Sequence, residues 1–183
     1  MKKSDKNLTA ILWILLGIVG RLIPHPPNMT PMTSLSLFGG THLSRKMAFG
    51  IAFSTLVISD VLIAYIYAGW PAFGLWTFFT YTGFAAIVFA GTLLRTNPTA
   101  LKTLGFILGS SLGFWIWTNF GVWLAGGPMY ARSFEGLISC YMAALPFLRN
   151  ALVGDLFWGF AFFASFSGVR VLAPKFGWSV QGA

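Results

Sequence analysis

Residues 21–31 read Arg-Leu-Ile-Pro-His-Pro-Pro-Asn-Met-Thr-Pro, and this stretch gathers a charge, a histidine, an amide and four prolines in an otherwise very apolar chain. It separates two short hydrophobic runs, Leu8 to Ile23 and Pro31 to Leu43. At about 1.5 Å of helical rise per residue the runs extend only about 24 and 20 Å, against a hydrocarbon core of about 30 Å. Lys6 and Arg45 mark their inner ends, so the shortfall lies on the outer side. The loop between them is therefore expected at membrane depth, where irregular backbone is tolerated only if it is buried in protein or lines a wet cavity. Prolines suit that setting, because they carry no N–H to satisfy and hold the chain extended. Pro31 fits the first turn of the next helix, with Thr30 as its cap.

The bulk of the chain points the same way. Its 183 residues are 56% hydrophobic and 17% aromatic, with 9% charged, and mean hydropathy is +0.75. No soluble domain of this length could hide so much apolar surface, so the class is all-α: a polytopic membrane protein forming a single integral domain over residues 1–183. Six transmembrane helices are expected, at about 8–23, 31–43, 47–68, 72–94, 101–125 and 151–172. Ser133 can cap a further short helix at about 134–145, with Glu135 in its first turn and Pro146 stopping it. At about 18 Å that helix is too short to cross and is expected to lie on the outer face as a partial cover.

Twelve basic against four acidic residues give a formal charge of +8. The cations stand singly between apolar runs, which argues against a nucleic-acid surface and for topology signals. With both termini cytoplasmic, Lys2, Lys3, Lys6, Arg45, Lys46, Arg95, Lys102, Arg170 and Lys175 fall inside, and only Arg21, Arg132 and Arg149 outside. The Met-Lys-Lys start followed by an apolar run resembles a signal peptide. No small-residue cleavage site follows, so a retained first helix is expected.

Ionisable groups inside a membrane cost roughly 2.5–3.5 kcal/mol each and need a partner or a role. By helical rise, Asp60 lies about 21 Å outward of Lys46, Asn119 about 25 Å outward of Lys102, and Asp155 about 9 Å inward of Arg149. All three fall in the outer half, at the level of Arg21, His25 and Asn28 in the loop. Arg21 and Arg149 could simply neutralise Asp60 and Asp155, but buried pairs add little stability over apolar packing, which favours a functional polar layer. Trp115, Asn119 and Trp123 recur every fourth residue and share one helix face, either a pocket wall or, for Trp123, an interfacial belt. Gly105, Gly109 and Gly113 form a neighbouring face suited to close helix approach.

Several chemistries are absent. Cys140 is the single cysteine and reads as a packed small residue; His25 and His42 are too far apart for a shared metal. His25 reads as a loop residue or a hydrogen-bonding ligand. No nucleophile triad, phosphate loop, zinc spacing or carboxylate dyad emerges, so no enzyme activity and no cofactor is expected. Asp60 with Asp155 superficially suits an aspartyl protease, but arginines at the same level would keep both ionised. The Asn-x-Thr matches at Asn7 and Asn28 are expected to be chance, one cytoplasmic and one buried.

The run from Arg21 to Gly40, Pro-His-Pro-Pro-Asn-x-Thr-Pro followed by Ser-Leu-Ser-Leu-Phe-Gly-Gly, resembles the signature of a bacterial membrane-protein family of unknown function. Ser59-Asp60, the run Thr118 to Trp123, Cys140-Tyr141, Pro146-Phe147-x-Arg149-Asn150 and Gly154-Asp155 extend the resemblance over most of the chain. That family is similar in size and hydropathy to the substrate-binding S components of energy-coupling-factor (ECF) transporters. The likeness implies six helices, an outward-facing small-molecule pocket, and a partner coupling protein with its ATPase module in the bacterial inner membrane. S components often dock that partner through alanines four apart on the first helix. Here Ala10 is followed at that spacing by Ile14, while Gly17 and Gly20 supply small residues elsewhere.

The resulting expectation is a transport subunit, embedded in membrane lipid, that takes up a small polar or zwitterionic nutrient. Arg21, His25, Asn28, Asp60, Asn119, Trp123, Arg149 and Asp155 would form the pocket, opposite charges suiting a ligand with both signs and tryptophans suiting a flat ring. The alternatives are a scaffold protein of envelope assembly, whose polar layer only locks helices, and an enzyme acting on a lipid headgroup.

Overall fold

The computed structural model describes residues 3–67, 71–126 and 129–172. Lys2 and Lys175 lie outside these residues, as do the side chains of Lys3, Lys6 and Arg170. The described regular structure is all helical: α1 Lys3–Leu22, α2 Met32–His42, α3 Arg45–Ile66, α4 Leu75–Leu94, α5 Ala100–Ala125 and α6 Phe134–Leu172. By length and composition, α3 to α6 can each cross a membrane. Large apolar side chains such as Leu12, Val61, Phe78, Phe89 and Phe160 remain exposed on their outer faces, as suits contact with lipid.

Helix α2 is the centre of the bundle. It has only 11 residues, yet Met32 through Thr41 are all buried, and it packs against each of the other five helices, α4 most extensively. A helix that short has little stability of its own, so tertiary packing must hold it. Its composition allows this: small and apolar residues surround the axis, and no face needs water. Phe38 anchors one end, with its ring 5.0 Å from Trp13 of α1 and 5.1 Å from Phe163 of α6. Gly40 and Gly91 let α2 and α4 meet backbone to backbone. A methyl group on Gly40 would collide with the Val88 carbonyl, and one on Gly91 with the Leu37 carbonyl.

The part-buried C-terminal end of α2 leaves carbonyls without partners inside the helix, and these need donors. Leu43 N–H closes on the Gly39 carbonyl at 2.8 Å. Arg95, at the end of α4, supplies the rest: its Nε donates to the Thr41 carbonyl at 3.1 Å, and Nη2 to the carbonyls of Gly40 (2.7 Å) and Leu43. A cation at a helix C-terminus also suits the helix dipole. Arg95 is thus a cap for α2 as well as a flanking cation. At the other end of α2, Pro31 rather than Thr30 holds the cap position and makes no side-chain bond there.

The expectation that Pro146 ends a short helix is corrected. Helix α6 runs unbroken for 39 residues with Pro146 inside it, so residues 134–145 are part of that helix and not a separate short one. Ser133 does receive the Gly136 N–H at 3.2 Å. Proline removes one backbone donor, here the one that would reach the Met142 carbonyl. Such a defect survives where neighbouring helices hold the turn. Side chains reach across the α5–α6 seam in both directions: Trp115 Nε1 donates to the Ala144 carbonyl at 3.0 Å, and Tyr141 Oη to the Ile116 carbonyl at 2.9 Å.

A second expectation, that Gly105, Gly109 and Gly113 receive a neighbouring helix, also fails, because a Cβ at any of the three would meet nothing within 4 Å. The close approach is made by Gly40 and Gly91 instead.

Replacing Gly40 with alanine overpacks the α2–α4 contact and should cost about 1–3 kcal/mol. Gly39→Ala, whose new methyl would sit 3.7 Å from the Ala48 Cβ, should be close to neutral. Thermal unfolding in detergent compares the two; equal stability would show that the contact is not tight.

Candidate functional site

The loop from Ile23 to Pro31 reverses direction at Pro26–Met29, where the Met29 N–H donates to the Pro26 carbonyl at 3.0 Å. Pro27 takes the second position and Asn28 the third, with φ of +65°. That pairing, proline then a residue in the left-handed region, is the pattern of a type II turn, and asparagine tolerates the third position better than most residues. His25 Nδ1 lies 2.8 Å from the Pro26 carbonyl.

Directly before the loop, Arg21 ends α1 in a polar clamp. Its Nη2 stands 2.7 Å from Asp60 Oδ1, with side-chain exposures of 16% and 3%. Nη1 donates to Ser59 Oγ. The other Asp60 oxygen accepts from Tyr81 Oη at 2.9 Å. One buried carboxylate therefore joins α1, α3 and α4, with charge neutralised and both oxygens occupied. Among the described residues Arg21–Asp60 is the one ion pair.

Asp155 has a different environment. It is 2% exposed, its carboxylate meets the Ser111 hydroxyl of α5 and the Thr33 hydroxyl of α2, and its backbone carbonyl accepts from Ser34 Oγ at 2.8 Å. The expected pairing with Arg149 does not form: Arg149 is exposed, and hydroxyls surround the carboxylate instead.

Between the clamp and Asp155 lies a cavity of about 360 Å³, at the small end of the range for small-molecule pockets. The loop contributes His25 and Asn28, α1 Arg21, and α6 Asp155. Aromatic walls come from Trp76 and Phe84 of α4 and from Phe114 and Trp115 of α5, and Thr80 and Thr118 add hydroxyls. Two larger hollows, about 790 Å³ along α4–α5 and 560 Å³ along α5–α6, are lined mainly by apolar side chains. They lack the convergent polar groups that mark a recognition site.

The eight residues expected at a common site therefore divide. Arg21, His25, Asn28 and Asp155 line the cavity, and Asp60 stands behind Arg21. Asn119 bonds back to the Trp115 carbonyl of its own helix at 2.8 Å, Trp123 Nε1 donates to the Ala131 carbonyl at 3.1 Å, and Arg149 faces outward; none of the three lines the cavity. Depth along a helix does not fix rotation about its axis, and these three side chains turn away from the cavity. Trp76, Thr80, Tyr81 and Ser111 carried no sequence signal beyond being polar or aromatic in apolar helices.

The model of a family of unknown function (DUF6580) matches residues 1–176. The chain belongs to that family. The match spans the loop, the clamp and every element that lines the cavity. No curated protein and no solved structure matches the chain.

Breaking a buried pair by removing one partner costs about 3–5 kcal/mol, since the other charge is stranded. Asp60→Asn and Arg21→Met should each lose stability on that scale, and the double variant should lose less than the sum. Additive losses in a double-mutant cycle would mean that Arg21 and Asp60 act independently.

Proposed function

We propose that this chain is the substrate-binding subunit of a membrane transport system and holds a small polar molecule in the cavity beneath the first loop. The observation that carries this reading is convergence: a proline-stiffened loop and five helices bring polar and aromatic groups to one hollow. Helix locking alone accounts for the Arg21–Asp60–Tyr81 clamp, and a scaffold would need nothing more. It gives no reason for Asn28, Thr80, Thr118 and Asp155 to face the same space.

In this reading all six helices belong to the membrane domain, both termini are cytoplasmic, and the loop opens toward the outer side of a bacterial inner membrane. The short α2 crosses as part of the protein interior rather than in contact with lipid. Energy comes from a partner ATPase module, as the S-component resemblance implies, or from an ion gradient. No group of three or more metal-ligating side chains occurs among the described residues, so the ligand is read as organic.

Protein purified in mild detergent should release about one equivalent of a small molecule on denaturation, detected by mass spectrometry. Asn28→Gly preserves the left-handed turn while removing the amide from the cavity. It should fold normally and reduce occupancy by about two- to tenfold, the worth of one hydrogen bond. Repeatedly empty protein with a stable protein partner would favour the scaffold.

A further inference from the structure

The charges around the cavity are unequal in a way that bears on what it accepts. Its ionisable lining consists of Arg21, His25 and Asp155. Arg21 is already neutralised by Asp60 at 2.7 Å, and Arg149 lies outside the cavity. The one guanidinium in the lining thus has its charge already offset by a buried carboxylate, which weakens its hold on a ligand carboxylate. Asp155 is the reverse case, a carboxylate at the wall with hydroxyls and, among the described residues, no ion pair.

Both of its side-chain partners are neutral hydroxyls. Ser111 has a single hydrogen and two acceptors within reach, the Asp155 carboxylate and the Ile107 carbonyl at 3.1 Å. Thr33 stands in the first turn of α2, whose N-terminus contributes only part of a charge. A cation placed against a carboxylate held only by neutral groups favours its ionised form and gains a charge-assisted contact. The same cavity offers the faces of Trp76, Phe84, Phe114 and Trp115, the surfaces on which organic cations rest.

We infer that the cavity selects a small organic cation, a protonated amine or quaternary ammonium, whose positive group is held by the Asp155 carboxylate between aromatic walls. This narrows the binding role proposed above and rests on it, and it replaces the zwitterion expected from the sequence. Asp60 serves the fold, and Asp155 serves recognition.

The test compares benzylammonium and choline with benzyl alcohol, benzoate and sodium chloride, following thermal stabilisation of purified full-length protein in detergent. At least one ammonium compound should stabilise the wild type saturably, and benzyl alcohol, benzoate and sodium should not. Asp155→Asn should weaken that binding at least about tenfold, the loss of a charge-assisted contact. Arg149→Gln, which removes an exposed charge outside the cavity, should retain it. Should Asp155→Asn fail to fold, the wild-type comparison of benzylammonium with benzyl alcohol decides alone. The inference is overturned if benzyl alcohol or benzoate binds as well as benzylammonium, if sodium alone gives the same shift, or if no compound binds. A zwitterion or anion released from the purified protein would also overturn it while leaving the binding role intact, whereas empty protein removes the binding role itself.

Discussion

An 11-residue helix enclosed on every side places a strict demand on its surroundings, because each of its backbone groups must find a partner without water. Helix α2 meets the demand through two residues far away in sequence. Gly91 permits α4 to touch it along the backbone, and Arg95, one turn further on, closes its free carbonyls. The arrangement of α1, α3, α5 and α6 around this axis then follows from which apolar faces remain to be covered.

The same burial explains why the polar groups of the first loop come together. The loop before it is mostly exposed at Ile23, Pro24 and Pro26 to Asn28, while His25, Met29 and Thr30 are half-buried, so it covers the interior from one side. Arg21 enters that interior at the end of α1 and meets Asp60, and Tyr81 completes the clamp. Thr33 and Ser34 at the start of α2 meet Asp155. The cavity is the space these two polar centres leave between them, and their inequality, one neutralised and one not, gives it a chemical preference.

The helical class and the pairing of Arg21 with an acid were legible because they rest on length, composition and the high cost of unpaired charge, whereas the expected burial of the loop fails at Pro24 and at Pro26 to Asn28, which are exposed. Rotation about a helix axis was less legible. Asn119, Trp123 and Arg149 do not line the cavity, and an apolar helix with polar residues spread around it offers no periodicity to decide between faces. Pro146 misled for a different reason. Its effect depends on whether α5 holds the turn before it, and the Trp115–Ala144 and Tyr141–Ile116 bonds do so between segments far apart in sequence. The glycines of α5 misled likewise, since a small-residue stripe permits an approach without requiring one.

The account turns on whether the hollow under the first loop is an occupied recognition site, and an experimental structure of the protein as purified reads this directly. Density for a small organic molecule between Trp76 and Trp115, with one end against the Asp155 carboxylate, is the predicted result. A cavity closed by its own side chains, or filled only by water while Asp155 pairs with a protein cation, would contradict it.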